Sequence, residues 1–226
     1  MSSEKWRVRV GDSETSVALD ATGDDGRVVF VCGHGAGGNM HDRAMVAATE
    51  EFVRRGLDVV RFNFLYKENQ SGRPDPMPVL KACYSAVVAD VRQRLEPEVL
   101  IIGGRSMGGR VASMLTADGF ECAGLLLLAY PLHPPKRLDQ LRDAHLPAIR
   151  VPVLCFNGTR DEMCTAELME RALERVQTRW EMHWLEGADH SFHVLKRSGR
   201  TDADVLREVG EASEQWVASL TATRSA

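Results

Sequence analysis

The sequence predicts an α/β protein in which helices cover both faces of a mostly parallel sheet. Short apolar runs alternate with longer segments of helical periodicity, as in sheets whose strands are connected by helices. Glycine and proline separate many of these segments. No internal repeat or linker divides the chain, so we expect one domain over residues 1–226, a length at which folding buries most of the chain's surface.

The first half of the chain opens with two alternating segments that predict an antiparallel hairpin, followed by continuous apolar runs that predict buried strands. Helices are predicted where apolar residues recur at intervals of three and four. In this half we predict a hairpin at 6–10 and 15–19, strands at 28–32, 57–62 and 99–102, helices at 42–55 and 80–95, and a loop at 67–78. Gly56 is well placed to end the first helix, and prolines mark the loop.

The second half repeats this alternation. We predict strands at 122–128, 151–156 and 180–184, and helices at 107–116, 166–176 and 203–220. One further short helix, at 136–144, is predicted where this fold class often carries an inserted cover over its site. No spare apolar segment is present there. We therefore expect no large lid at this position.

The composition argues against several classes of function. A formal net charge of −4 is too small to indicate a nucleic acid or an anionic membrane as partner. The five cysteines include no C-x-x-C pair, and their odd number fits no closed disulfide framework. Neither a signal peptide nor an apolar segment of membrane-spanning length is expected. We therefore expect a cytoplasmic protein with reduced cysteines that acts on a small molecule.

The strongest motif is GGRSMGG at 103–109, where Gly104, Ser106 and Gly108 fit the pattern G-x-S-x-G. This pattern puts a serine on a tight turn between a strand and a helix, and the glycines let those two elements approach. The turn exposes the serine oxygen and directs a helix N-terminus toward developing negative charge. An apolar run precedes the motif and a helical segment follows it, so Ser106 is the predicted nucleophile. The alternative is a glycine-rich turn with an incidental serine.

A serine hydroxyl needs a base to become a nucleophile, and the base needs an acid to orient it. In folds with this turn, the acid and the histidine follow the serine along the chain. Five of the seven histidines follow Ser106: His133, His145, His183, His190 and His193. His190 is the predicted base because it lies in the loop between the strand at 180–184 and the last helix. His193 and His133 are the alternatives, since His183 falls inside the predicted strand at 180–184 and His145 lies in a helical stretch.

Asp161 is the predicted orienting acid. It lies in the sequence NGTRDE, which follows the predicted strand at 151–156, and this is the loop position that the mechanism requires. Asp189 adjoins His190, but a neighbour in sequence is poorly placed to bond the imidazole from behind. We therefore expect Asp189 to have a structural role in its loop.

A tetrahedral intermediate also needs N–H donors for its negative charge. Met107, the residue after the nucleophile, is predicted to supply one through its backbone. The second is expected from GHGAGG at 33–38, which follows the strand at 28–32; Ala36 is the predicted donor and Gly37 the alternative. A phosphate-binding loop is another interpretation of these glycines, but the run lacks the lysine of a P-loop.

Residues after other strand ends are candidates for contact with the substrate. They are Asn63, Tyr66, Tyr130 and His133. Arg105 and Arg110 flank Ser106, and either could pair with a substrate carboxylate. The alternative for all six is an ordinary packing or surface role. His34 and His41 are separated by a glycine loop and make a weak metal site, so no metal or cofactor is expected.

The segments HGAGG, GRSMGG, NGTRDE and GADHSF together resemble the dienelactone-hydrolase-like branch of the α/β-hydrolases. The stretches RFNFLYKE, AYPLHPP, LRDAHLPAI and DHSFHVLKRSGRT more closely resemble small predicted hydrolases that include testis-expressed hydrolase-like proteins. The resemblance spans roughly 28–216 and implies an α/β-hydrolase fold with a triad of Ser106, Asp161 and His190. Dienelactone hydrolases use a cysteine nucleophile, so Ser106 departs from that branch, and the resemblance implies no particular substrate.

These residues predict an enzyme that hydrolyses a carboxylic ester or thioester through an acyl-enzyme. With no large lid expected, its substrate site should be open and should prefer short acyl groups. A small peptidase or amide hydrolase is a second interpretation, because the same three side chains serve that reaction. A non-catalytic scaffold with this fold is a third, although degraded scaffolds commonly lose one of the three. The sequence does not predict the oligomeric state.

Overall fold

The computed structural model describes residues 3–23 and 28–224. Its strands are β1 (Glu4–Val10), β2 (Ser13–Asp20), β3 (Val28–Gly33), β4 (Asp58–Phe62), β5 (Val99–Arg105), β6 (Gly124–Leu128), β7 (Val153–Gly158) and β8 (Trp180–Leu185). Its helices are α1 (Arg43–Val53), α2 (Leu65–Glu68), α3 (Met77–Leu95), α4 (Met107–Ala117), α5 (Ala166–Leu173) and α6 (Asp202–Arg224). Short 3-10 turns occur at Leu146–Ala148 and Lys196–Ser198.

The strands form one eight-stranded sheet in the order β1-β2-β4-β3-β5-β6-β7-β8. β1 pairs antiparallel with β2, and β2 pairs antiparallel with β4. From β4 to β8 every pairing is parallel. The mostly parallel sheet with an N-terminal antiparallel hairpin is therefore confirmed. Because parallel strands end at the same edge of a sheet, the loops after β3, β5, β7 and β8 meet there.

Successive side chains of each strand pack on opposite faces of the sheet. Val29 and Val31 of β3 join the hydrophobic cluster that includes α3, α4 and α5, whereas Phe30 and Cys32 join the cluster that includes α1 and α6. The central strands β3 and β6 carry no polar side chain because both of their faces are covered. The predicted arrangement of helices on both faces is confirmed.

The segment between β6 and β7 differs from the prediction, because no helix forms at 136–144. Lys136 has a φ of 61°, which a right-handed helix does not allow. The Arg142 N–H donates to the Leu132 carbonyl (2.7 Å), and the Arg142 carbonyl accepts from the Tyr130 hydroxyl (2.7 Å). Because these bonds take both backbone groups of Arg142 outside a helix, the segment folds into turns. No large lid covers the sheet edge.

Element ends also differ by a few residues. α3 begins at Met77, inside the predicted loop at 67–78, with Pro78 in its first turn, where the missing N–H removes no helical hydrogen bond. α2 is a single turn that the sequence pattern did not predict. No helix among residues 3–23 and 28–224 combines the length and the apolar character needed to cross a membrane.

Candidate active site

β5 ends in a sharp turn at Ser106, and α4 begins at the next residue. Ser106 has φ 48° and ψ −112°, a backbone conformation that residues other than glycine rarely adopt. Its N–H donates to the Leu128 carbonyl at the end of β6 (2.8 Å), and its carbonyl accepts from the Arg110 N–H (3.0 Å). These bonds hold the turn and leave the partly buried serine at the carboxyl edge of the sheet.

Glycine is required on both sides of Ser106 because β3 lies against the turn. A β-carbon on Gly104 or on Gly108 would lie 2.2 Å from the carbonyl oxygen of Gly33. That distance is far inside van der Waals contact, so a larger residue would push β5 or α4 away from β3. The sequence pattern indicated a close approach of strand and helix; the structure adds the end of β3 as the third partner.

The structure brings together the three residues predicted as a triad. The Nε2 atom of His190 lies 3.0 Å from Ser106 Oγ, and its Nδ1 atom lies 2.8 Å from Asp161 Oδ2. Because a carboxylate only accepts, Nδ1–H donates to Asp161 and Nε2 accepts from the serine hydroxyl. The Asp161 side chain is fully enclosed, whereas 26% of the His190 side chain is exposed. Such a row can move a proton from serine to imidazole and stabilise the resulting imidazolium.

Asp161 is held by donors besides His190. Asn157 Nδ2 donates to Asp161 Oδ2 (3.0 Å), and the Met163 N–H donates to Oδ1 (2.8 Å). Asn157 is itself buried and fixed, because its side chain bonds to both the N–H and the carbonyl of Tyr130. These bonds offset the cost of enclosing a carboxylate and fix its orientation toward the imidazole.

The loop that carries His190 is held from two sides. Asp189 Oδ1 accepts from two N–H groups of the same loop (2.7 and 3.1 Å), which is the structural role expected of it. Arg105 Nη2 donates to the His190 carbonyl (2.8 Å), and the guanidinium lies 5.5 Å from the ring centroid of Phe192. The residue before Ser106 is therefore tied to the loop that carries His190.

The loop after β3 is fixed by a buried imidazole. The Phe64 N–H donates to His34 Nε2 (3.1 Å), so Nδ1 carries the proton and donates to the Gly35 carbonyl (2.8 Å). The Tyr66 hydroxyl donates to the Ala36 carbonyl (2.7 Å). Across a trans peptide the N–H points opposite to the carbonyl, so these bonds fix the directions of the Ala36 N–H and the next amide. Burial lowers the pKa of His34 to about 4, which keeps the imidazole neutral.

This loop lies directly beside the serine. A β-carbon built on Gly35 would be 3.7 Å from Ser106 Cβ. Ala36 follows Gly35, and Met107 is the first residue of α4. The two predicted oxyanion donors, Ala36 and Met107, are therefore the residues that directly follow Gly35 and Ser106, which lie side by side. Their role in stabilising an oxyanion stays a prediction.

The residues predicted to contact the substrate support loops in the structure. The Asn63 side chain accepts from a backbone N–H of the loop after β3 (2.9 Å) and donates to Glu68 (2.8 Å). Tyr130 and His133 are fully buried, and the His133 N–H donates to the Met163 carbonyl in the Asp161 loop (3.0 Å). A direct role of Asn63, Tyr130 or His133 in substrate binding stays a prediction.

The alternative bases lie elsewhere. His193 Nδ1 pairs with Asp202 (3.0 Å), and both side chains are more than half exposed. His133 Nδ1 lies 3.0 Å from the Pro134 carbonyl. Within the described residues, His190 is the histidine whose ring bonds to Ser106.

Comparison with known proteins agrees with the fold. The sequence pattern of a family described as alpha/beta hydrolase domain matches residues 26–218. The chain belongs to this family. A solved α/β serine hydrolase homologue from Coxiella burnetii superimposes with a TM-score of 0.76 at 20% identity, over 95% of this chain and 97% of that one.

Two further solved structures share the fold. A serine hydrolase without a lid from Xanthomonas campestris has a TM-score of 0.72 at 22% identity, with 95% of this chain and 94% of that chain covered. A dienelactone hydrolase from Anabaena variabilis has a TM-score of 0.74 at 17% identity, with 95% and 96% covered. At these identities the likeness establishes the fold and leaves the substrate open.

Three residues that support the site of this α/β-hydrolase, namely Asn157, His34 and Arg105, were not predicted in that role from the sequence. Asn157 had a usable signal, since it is a polar residue at the end of the otherwise apolar β7. His34 was considered only as a metal ligand, and Arg105 only as a substrate partner. His34 accepts from the Phe64 N–H, and Arg105 donates to the His190 carbonyl. Because both partners are distant in sequence, no local pattern predicted these bonds.

Proposed function

We propose that this α/β-hydrolase is a serine hydrolase that cleaves a small carboxylic ester or thioester through an acyl-enzyme. Ser106 is the nucleophile, His190 is the general base, and Asp161 orients His190. The observation that carries the proposal is the continuous row of hydrogen bonds from Asp161 through His190 to Ser106, at 2.8 and 3.0 Å.

In the proposed acylation, His190 Nε2 accepts the hydroxyl proton while Ser106 Oγ attacks the carbonyl carbon of the substrate. The Ala36 and Met107 N–H groups stabilise the oxyanion, with Gly37 as the alternative to Ala36. One such donor contributes about 3 kcal/mol of transition-state stabilisation. His190 then donates its proton to the leaving alcohol or thiol, and the acyl group remains on Ser106.

In the proposed deacylation, a water molecule takes the position of the leaving group. His190 accepts a proton from this water, and the water oxygen attacks the acyl carbon. The second tetrahedral intermediate collapses, His190 returns the proton to Ser106 Oγ, and the free acid leaves. These steps use side chains of this chain and water, so the proposal includes no metal or cofactor.

The state of the thiols supports a serine nucleophile. Burial raises the pKa of Cys32 and Cys83 to about 12 and that of Cys122 to about 11. Burial also raises the pKa of Cys155 and Cys164. Because a thiol attacks as the thiolate, none of the five competes with Ser106 near neutral pH. All five are free, which also supports the cytoplasmic location that we include in the proposal.

The proposal specifies a small-molecule substrate with a short acyl group, and neither a nucleic acid nor a membrane as partner. The turns between β6 and β7, which form no lid, and the partial exposure of Ser106 and His190 support a short acyl group. We include residues 1–226 in one catalytic domain. Within the family, the stretches RFNFLYKE and AYPLHPP support a place near the small predicted hydrolases that include testis-expressed hydrolase-like proteins.

Labelling with a fluorophosphonate probe tests the proposal, because this reagent modifies activated serines. The wild type should be labelled, and Ser106→Ala should lose all labelling while its circular dichroism spectrum is unchanged. Ser113→Ala is the matched control. Ser113 also bonds to a histidine, His145 (2.8 Å), but it is fully buried, so this variant should be labelled like the wild type.

The alternatives give different outcomes. An unlabelled wild-type protein would support a non-catalytic scaffold, and labelling that persists in Ser106→Ala would refute the assignment of the nucleophile. Rates on matched ester, thioester and amide substrates then decide the bond that is cleaved. Faster cleavage of the amide would support the peptidase interpretation.

A further inference from the structure

A mostly apolar cavity lies between α1, α6 and the carboxyl edge of the sheet. Its volume is about 490 Å³, within the range of roughly 300–1,000 Å³ common for small-molecule sites. Met45, Leu128 and Phe192 are among its apolar lining residues. Neither Ser106 nor His190 lines it, so it is separate from the candidate active site.

Arg105 gives this cavity a charged group. One of its nitrogens, Nη2, donates to the His190 carbonyl (2.8 Å). The Nε and Nη1 atoms have no hydrogen-bond acceptor within the described residues, and the protein does not enclose them. Arg105 also forms no ion pair in the part of the chain that the structure describes. Arg105, a residue with unused donors, is therefore among the residues that line a largely apolar space.

The carboxylates nearest in effect to Arg105 form their hydrogen bonds with other groups. Asp161 bonds to His190, Asp189 accepts from two N–H groups of its own loop, and Asp42 accepts from a backbone N–H in the loop after β3. Burial lowers the pKa of Arg105 while these carboxylates raise it, and an arginine stays charged throughout. The charge therefore lacks a direct anionic partner.

The first turn of α1 adds to the attraction for an anion. Arg43, Ala44 and Met45 line the cavity, and this turn contains no acidic residue. The carboxylate of the N-cap residue, Asp42, forms no bond to the turn and instead accepts from the Asn39 N–H of the preceding loop. The N-terminus of a helix carries a partial positive charge that favours anions within about one turn. The exposed Arg43 forms no ion pair within the described residues. Asp202, the acidic residue of the lining, is already bonded to His193 and to a backbone N–H.

We propose that this cavity binds an aliphatic monocarboxylate, with the carboxylate on Arg105 and the hydrocarbon chain between α1 and α6. A carboxylate matches the planar donors of a guanidinium, and the apolar walls match the chain. The site does not depend on the role proposed for Ser106, because its readout is binding and not turnover.

Isothermal titration of the full-length protein with sodium decanoate tests this site. We expect saturable binding of one decanoate per chain. Decanol, which keeps the hydrocarbon chain but has no charge, should bind at least tenfold more weakly, because a hydrogen bond to a charged group contributes on this scale. Absence of decanoate binding, or equal affinity for decanol, would overturn the proposal.

Three variants locate the site. Arg105→Met keeps the apolar stem but removes the guanidinium, and it should weaken decanoate binding at least tenfold. Arg54→Met is the matched control, since it removes a positive charge just after α1 at a residue outside the cavity lining, and its affinity should equal that of the wild type. Ala47→Phe fills the cavity from α1 without changing Arg105, and it should abolish binding.

The two cavity variants are independent of each other. If Arg105→Met does not fold, as judged by its thermal unfolding, Ala47→Phe still decides the outcome. Binding that survives Ala47→Phe, or that is undiminished in a folded Arg105→Met, would assign decanoate to another surface and refute the site.

Discussion

Ser106 carries backbone strain that its neighbours must offset. A residue held at φ 48° and ψ −112° costs on the order of 1–3 kcal/mol, because side chains other than hydrogen crowd the backbone there. The bond from its N–H to the Leu128 carbonyl comes from the pairing of β5 with β6, and the bond from the Arg110 N–H comes from α4. The backbone geometry of this residue is thus a product of the surrounding sheet and helix.

His34 should make the stability of the protein depend on pH. Its pKa is about 4 in the folded protein and about 6.5 in an unfolded chain. Between these values the unfolded chain binds a proton that the folded protein does not, so the free energy of unfolding should fall as pH drops from 6.5 toward 4. His34→Asn keeps a donor and an acceptor but cannot titrate, and it should show a shallower fall. Urea denaturation between pH 7.5 and 4.5 measures both slopes.

His145 should contribute to the same pH dependence of stability. Burial also lowers the pKa of His145 to about 4, so part of the pH dependence should remain in His34→Asn. Equal slopes in the wild type and His34→Asn would contradict the tautomer and the bonding described for His34. In that case the loop after β3 would need another explanation for its fixed direction.

At the scale of elements, β3, β5 and α4 pack closely through one glycine each, which are Gly33, Gly104 and Gly108. Gly108→Ala would put a β-carbon 2.2 Å from the Gly33 carbonyl oxygen. We expect this change to lower the free energy of unfolding by about 3 kcal/mol, because a packed backbone cannot move aside without disturbing the sheet. Gly72→Ala is the control, since a β-carbon there meets nothing within 4 Å, and its unfolding midpoint should match the wild type. Equal midpoints for the two variants would contradict the packing described.

The elements that the sequence predicted well are those with a local cause. β3, β5, β6 and β7 are largely apolar runs. Ser106, Asp161 and His190 each come after a predicted strand, so position along the chain was enough to bring them to one edge. The segment at 131–152 has no such cause. Its turns depend on the bonds of Arg142 to Leu132 and to Tyr130, and neither bond is visible in hydrophobic periodicity.

At the scale of the whole molecule, the absence of a large lid predicts the acyl preference. A deep channel would raise efficiency with each added methylene, by about 0.8 kcal/mol for each one buried. We expect kcat/KM on nitrophenyl esters to be highest at short acyl chains, with no increase when the substrate aggregates. An optimum at long chains, or a jump in rate above the aggregation point, would contradict an open site.

The order of the strands also has a consequence for synthesis. Ser106 follows β5, whereas Asp161 and His190 follow β7 and β8, near the C-terminal end of the sheet. Domains form from the N-terminus as the chain emerges from the ribosome, and parallel strands pair slowly because their contacts are distant in sequence. A nascent chain therefore exposes the serine turn before it has a base or an acid. The proposed nucleophile stays unreactive until the last strand is in register. This order protects the unfinished chain from acylation by esters that it meets before it is folded.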